Sequence, residues 1–95
     1  MIPEAAYFME SDLEGQRIYD KTDREAIRAQ LEIAGLKPGM FSLDIGCASG
    51  AASQELAGMC FPADAIGLDS SQQLLSEAIR NAASKQRPNL RFMHG

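Results

Sequence analysis

Apolar positions along this chain follow two repeats in alternation, one helical and one extended. Thr22-Asp23-Arg24-Glu25 has the spacing of a capping box, a hydroxyl followed three residues later by Glu, and starts a helix. Ile27, Leu31 and Ala34 then fall on one face, and Gly35-Leu36 is suited to a Schellman ending. Lys37-Pro38-Gly39 is turn chemistry. Residues 40–45 form a short, mostly apolar run that predicts a buried strand. A tight loop follows over residues 46–50. Residues 51–60 are rich in helix formers, with Ala52, Leu56 and Met59 on one side and Pro62 as a stop. Residues 65–69 predict a second strand. Ser70 or Ser71 caps the next helix, whose stripe of Leu74, Leu75, Ala78, Ile79, Ala82 and Ala83 is the strongest amphipathic signal in the chain. Residues 90–93 predict a third strand.

Strands that alternate with helices imply a parallel sheet with right-handed crossovers. The fold class is therefore α/β: a Rossmann-like doubly wound parallel sheet of about three strands with flanking helices. Residues 1–21 are expected to form a separate helical or irregular segment, with a further capping-box spacing at Ser11-Asp12-Leu13-Glu14. Residues 22–95 are expected to be part of a Rossmann-like domain whose C-terminal half is absent. An uncovered parallel sheet edge is a liability, so weak stability or self-association through that edge is expected.

Charge narrows the partners. The formal net charge is −4 and the isoelectric point about 4.8, which disfavours binding to nucleic acid. Lys85, Arg87 and Arg91 cluster near Pro88 and read as a solvated loop. Cys47 and Cys60 form no CxxC pair and, with the one histidine, His94, make no zinc set. Both read as small packing residues, with Cys47 inside the loop also counted among those lining a ligand. There is no apolar run of membrane-spanning length and no visible signal peptide, so a cytoplasmic location without membrane contact is expected.

The chemistry lies in Leu43-Asp44-Ile45-Gly46-Cys47-Ala48-Ser49-Gly50. A strand delivers an acid, and a glycine-rich turn follows that lets the backbone approach a ligand closely. The next helix points its free N–H groups at the same place. Asp69, nineteen residues beyond Gly50, ends the second strand. In a doubly wound fold such an acid lies beside the first loop and accepts both hydroxyls of a ribose. A dinucleotide would set its pyrophosphate on the helix N-terminus. Asp44 would repel it and favour a ligand with a cationic amine, such as the methionine part of S-adenosylmethionine. The four-residue spacing of Gly46 and Gly50, with Ala51, matches the dinucleotide pattern only weakly.

Asp44-Ile45-Gly46-Cys47-Ala48-Ser49-Gly50 resembles the D-x-G-x-G-x-G motif of class I S-adenosylmethionine-dependent methyltransferases. Ile66-Gly67-Leu68-Asp69-Ser70-Ser71 resembles the acidic strand motif that follows it in that family. Leu36-Lys37-Pro38-Gly39-Met40 is similar to the approach to the first strand in the family's small-molecule members. The resemblance covers about residues 20–95. It implies that Asp44 and the backbone at Gly46 and Ala48 line the methionyl pocket and that Gly50 allows close packing where the helix begins. Asp69 would accept the ribose hydroxyls, and Ser70 would border the adenine. Ala48 stands where the family's motif has its central glycine, a departure that narrows the pocket or weakens affinity. The implied activity is methyl transfer from S-adenosylmethionine to an unidentified acceptor, expected to be a small molecule. No catalytic residue is identified, because the family's acceptor contacts come from later loops and from segments before the fold. The chain alone is accordingly expected to be inactive.

In some relatives the segment before the fold closes over the cofactor, a role open to Tyr7, Phe8, Arg17 and Tyr19, although packing or solvent exposure suits each better. His94 is a poor candidate for a base, since it lies where a frayed terminus is expected. Two other readings stay open: a nicotinamide-dependent oxidoreductase domain, and a non-catalytic module that keeps the nucleoside fold.

Overall fold

The computed structural model describes Tyr19, Asp20 and residues 22–95. The expectations for Ser11, Tyr7, Phe8 and Arg17 lie outside the described residues. Helix α1 spans Arg24–Ile33. Its N-cap is Asp23 and not Thr22: the Asp23 carboxylate accepts the Ala26 amide at 3.0 Å. A carboxylate is also the better partner for the helix's positive end. At the other end Gly35 takes φ 93°, Leu36 N–H bonds the Leu31 carbonyl and Gly35 N–H that of Glu32, both at 3.0 Å. Those two bonds are the Schellman ending expected from Gly35-Leu36.

Strand β1 is Ser42–Ile45, helix α2 Ala51–Cys60, strand β2 Ala65–Asp69, helix α3 Gln72–Ala82 and strand β3 Leu90–His94. The sheet order is β1-β2-β3 and both pairings are parallel. Both crossovers run the same way along the sheet, so right-handedness sets α2 and α3 on one face. That face carries Ser42, Asp44, Ala65, Gly67 and Asp69, all buried or half-buried. Leu56, Ala57, Cys60 and Ala65 form the core cluster, with Leu31, Leu36 and Leu90 packed against it.

The expectation of a buried first strand is corrected. Met40 and Phe41 lie outside β1, and Leu43 and Ile45 are 50% and 59% exposed on the opposite face. An apolar run reads as buried on both sides only where both faces are covered. Helix α2 also departs from its predicted stripe. Ser53, Gln54, Leu56, Ala57 and Cys60 are buried, whereas Ala52 and Met59 are half-buried. In α3, Leu74, Leu75 and Ala78 are buried as the pattern indicates, but Ile79 is 58% exposed and Glu77 takes a buried place.

The basic cluster near Pro88 is not a plain solvated loop. Arg87 donates Nε to the Gln54 carbonyl at 3.1 Å, and its guanidinium lies where a Cβ on Gly58 would stand 3.2 Å away. Next to it, buried Asn89 donates Nδ2 to the carbonyls of Ala57 and Ala63 at 2.9 and 2.7 Å. Together these side chains tie the loop before β3 to α2 and to the turn that follows it. Arg91 pairs with Asp64 at 3.2 Å on the surface.

Candidate functional site

The loop between β1 and α2 gets its shape from three residues with positive φ. Gly46 is at 76°, Ala48 at 52° and Gly50 at 93°. The amides of Gly46 and Cys47 both bond the Leu68 carbonyl, at 2.7 and 2.9 Å, which anchors the loop to β2. Gly50 is the N-cap of α2 and supplies no side-chain cap. A Cβ on Gly50 would stand 3.1 Å from Ala78 Cβ and 3.2 Å from Phe92, so a side chain there is excluded by packing as well as by φ. From α3, Asn81 donates Nδ2 to the Ser49 carbonyl at 3.1 Å, holding the far side of the loop.

Asp69 is only 3% exposed and its two oxygens are divided between two backbone segments. Oδ2 accepts the Ala48 amide and Oδ1 the Ser71 amide, each at 2.9 Å. The acid that ends β2 therefore clamps the glycine loop on one side and the entry to α3 on the other. Ser71, not Ser70, caps α3, accepting the Leu74 amide at 3.1 Å. Ser70 is exposed, and its carbonyl lies 2.9 Å from His94 Nε2, which must then carry the ring proton. His94 is the last residue of β3, in register with Asp69, and does not sit beyond a frayed strand end.

Asp44 is half-buried at the opposite side of the loop. Its Oδ2 accepts the Ser53 hydroxyl at 2.7 Å. Burial pushes the Asp44 carboxyl above its usual range, the Ser53 bond pulls it back, and the Asp69 charge pushes it up again. Cys47 is 5% exposed, and its thiol is pushed up to about 12 by burial and then by the charges of Asp44 and Asp69. At neutral pH it is a neutral packing group and no nucleophile. The structure thus brings Asp44, Gly46, Cys47, Ala48, Gly50 and Asp69 to one end of the sheet, with Ser70 at its rim. The two carboxylates at this end of the sheet favour cations over phosphate.

Three residues beside the site were not singled out in the sequence. Ser53 and Gln54 are adjacent polar residues in a helix otherwise dominated by small and apolar ones, and both are buried. Gly67 lies within the acidic-strand motif, and a glycine inside a strand often marks a close approach. A Cβ at Gly67 would lie 2.8 Å from both Ser53 Oγ and Phe92 Cδ1. Tyr19 meets the far side of α2. Its hydroxyl and the Gln54 amide share hydrogen bonds of 3.2 and 3.3 Å, and the Arg24 guanidinium lies 4.9 Å above its ring. Arg24 also donates to Gln54 Oε1 and pairs with Glu55, at 3.0 and 3.1 Å.

A glycine loop thus lies between an acid near the end of β1 and the acid that ends β2, on a parallel α/β sheet. The chain belongs to the methyltransferase-domain family, whose model matches residues 36–95. Solved structures agree on the fold. A SAM-dependent methyltransferase from Aquifex aeolicus is 20% identical with a TM-score of 0.68, over 100% of this chain and 47% of that one. Magnesium protoporphyrin IX methyltransferase from Synechocystis, solved with bound SAH, is 22% identical with a TM-score of 0.68, over 97% and 49%. An RNA methyltransferase from Salinibacter ruber, in complex with S-adenosyl-L-homocysteine, is 20% identical with a TM-score of 0.65, over 78% and 48%. The chain spans less than half the length of each. No curated protein sequence matches it. No helix among the described residues is long and apolar enough to cross a membrane.

Proposed function

We propose that this chain binds S-adenosylmethionine and forms the cofactor half of an enzyme that methylates a small molecule. The observation that carries the reading is the pair of acids, Asp44 and Asp69, on either side of a loop whose backbone Asp69 and Leu68 hold in place. The donor set fits the cofactor's chemistry. A carboxylate has about four acceptor positions. Asp69 uses one on each oxygen for backbone amides, which leaves capacity for two ribose hydroxyls. Asp44 is placed to accept a cationic amine, and the uncapped start of α2 adds amide donors at the same end.

S-adenosylmethionine supplies an activated methyl group on a sulfonium, and the protein's part is to bind and orient. Asp44 and Asp69 set the two ends of the ligand. Gly46 and Gly50 supply the positive-φ turns that bring the loop backbone round between them. Rate then comes from holding donor and acceptor in line. The small-molecule acceptor is favoured by the net charge of −4, which opposes a nucleic-acid substrate, and by the resemblance of residues 36–40 to small-molecule methyltransferases. A cytoplasmic setting suits two free, buried cysteines.

Calorimetric titration of the whole protein with S-adenosylmethionine, S-adenosylhomocysteine and NAD tests this. Micromolar binding of the first two without NAD is the expected result. Binding of NAD alone would establish the oxidoreductase reading instead. Binding of none by folded protein would favour the non-catalytic module.

A further inference from the structure

We propose that Ser53 is a positioning residue of this site, its hydroxyl fixing the Asp44 carboxylate as the acceptor for the ligand's cationic amine. The inference rests on the reading of the site as one for S-adenosylmethionine.

Ser53 is the third residue of α2 and is fully buried. A hydroxyl removed from water is costly unless bonded. The Ser53 hydroxyl donates to Asp44 Oδ2 at 2.7 Å, a length typical of a charge-assisted bond, and also lies within reach of the neutral Cys47 thiol. A helical serine commonly turns its hydroxyl back to its own helix; this one reaches the neighbouring strand. The space it occupies is made by a missing side chain. Gly67 is the register partner of Asp44 on β2, and a Cβ there would come within 2.8 Å of Ser53 Oγ. Asp44, Ser53 and Gly67 thus form one packed unit drawn from β1, α2 and β2.

The surroundings show why such a unit is needed. Across the loop, Asp69 at the end of β2 repels negative charge on Asp44. The Cys47 thiol in the loop is neutral. Helix α1 faces β1 with Ile27, Gln30 and Leu31, none of them charged, and α2 adds Ala52. Burial and Asp69 both favour the protonated acid; Ser53 is the group that opposes them. Without it, Asp44 holds its proton to higher pH and its carboxylate is free to rotate away from the ligand amine. The effect is specific to a ligand that carries that amine.

The test compares wild type and Ser53→Ala in the whole protein, using S-adenosylhomocysteine and 5′-methylthioadenosine, which keeps the nucleoside and lacks the amino acid. In the variant, affinity for S-adenosylhomocysteine is expected to fall by about tenfold, the scale of one hydrogen bond to a charged group. Its loss on acidification should begin at higher pH than in wild type. Affinity for methylthioadenosine should stay within about twofold, which also reports that the variant is folded. An equal loss for both ligands, or an unchanged acid limb, would overturn the inference and leave Ser53 a packing residue. Failure of wild type to bind either ligand would instead overturn the cofactor reading itself, and this inference with it.

Discussion

Asp69→Asn separates the two tasks this acid has in the structure. The obvious expectation is that losing Asp69 abolishes ligand binding and nothing else. The geometry says otherwise. Both carboxylate oxygens accept backbone amides at 2.9 Å, from Ala48 and Ser71, in a place only 3% exposed. Asparagine has nearly the same shape, but one of its two terminal atoms becomes a donor. Whichever way the amide is turned, one backbone N–H loses its acceptor and meets another N–H. Water has little access to repair the fault.

A hydrogen bond to a charged group contributes about 1.5–3 kcal/mol, and the surviving bond weakens as its acceptor becomes neutral. The sum is a destabilisation of about 2–4 kcal/mol. Against a total of roughly 5–15 kcal/mol for a whole domain this is a large share. At about 4–8 °C per kcal/mol for a domain of this size, the melting temperature should fall by roughly 8–32 °C, with no ligand present. The assay is thermal unfolding by circular dichroism of ligand-free wild type and variant, followed by titration with S-adenosylhomocysteine below the variant's transition. If ligand binding disappears while the transition moves by less than about 3 °C, the clamp argument is wrong and Asp69 serves the ligand alone.

The remaining predictions concern the neighbours of that clamp. Ala48→Gly relieves a left-handed residue, worth about 1 kcal/mol, and costs roughly the same in chain entropy; a shift in melting temperature beyond about 5 °C in either direction would contradict that balance. Cys47, with its thiol near 12 and 5% of its surface exposed, should resist iodoacetamide at pH 8 in the folded protein and react in urea, as peptide mapping by mass spectrometry can show. Labelling of native Cys47 at the rate of a free thiol would count against the description of the loop. Asp44→Asn should raise the melting temperature at pH 7 while weakening S-adenosylhomocysteine. The sign follows from the raised Asp44 pKa: the folded state holds the proton more tightly than the unfolded, so stability falls as pH climbs from the ordinary carboxylate range through the higher folded value. The penalty stays in place above that window, and the neutral amide removes it; a lower melting temperature at pH 7 would refute this.

Much of the framework was legible in the chain because the signals are local. Gly35-Leu36 announces its own helix ending, Ser71 its cap, and Leu74, Leu75 and Ala78 their buried face, each through residues within a few positions. The loop acids were legible for a different reason: a strand, a glycine turn and a second strand-end acid constrain one another through fold topology. Most of the unread features depend on contacts far along the chain; the N-cap at Asp23 in place of Thr22 is the local exception. Arg87 meets Gln54 across 33 residues and Asn89 meets Ala57 across 32. Periodicity also says nothing about which face of a sheet is covered, so the exposure of Leu43 and Ile45 could not be read from an apolar run.

The contrast between the two acids explains how such a site is affordable to its fold. Asp69 is satisfied before any ligand arrives, since two backbone amides hold it, and in return it fixes the loop and the start of α3. Asp44 is kept at a disadvantage by burial and by Asp69, with one hydroxyl in partial compensation. A cationic ligand would offset both the desolvation and the repulsion that Asp44 bears, and part of its binding free energy would come from that compensation. That arrangement predicts a preference by charge. A ligand with a positive amine and sulfonium gains from that compensation, a neutral nucleoside gains less, and a dinucleotide adds negative charge to the repulsion. The expected order of affinities therefore follows from the placement of Asp44 and Asp69 on adjacent strands.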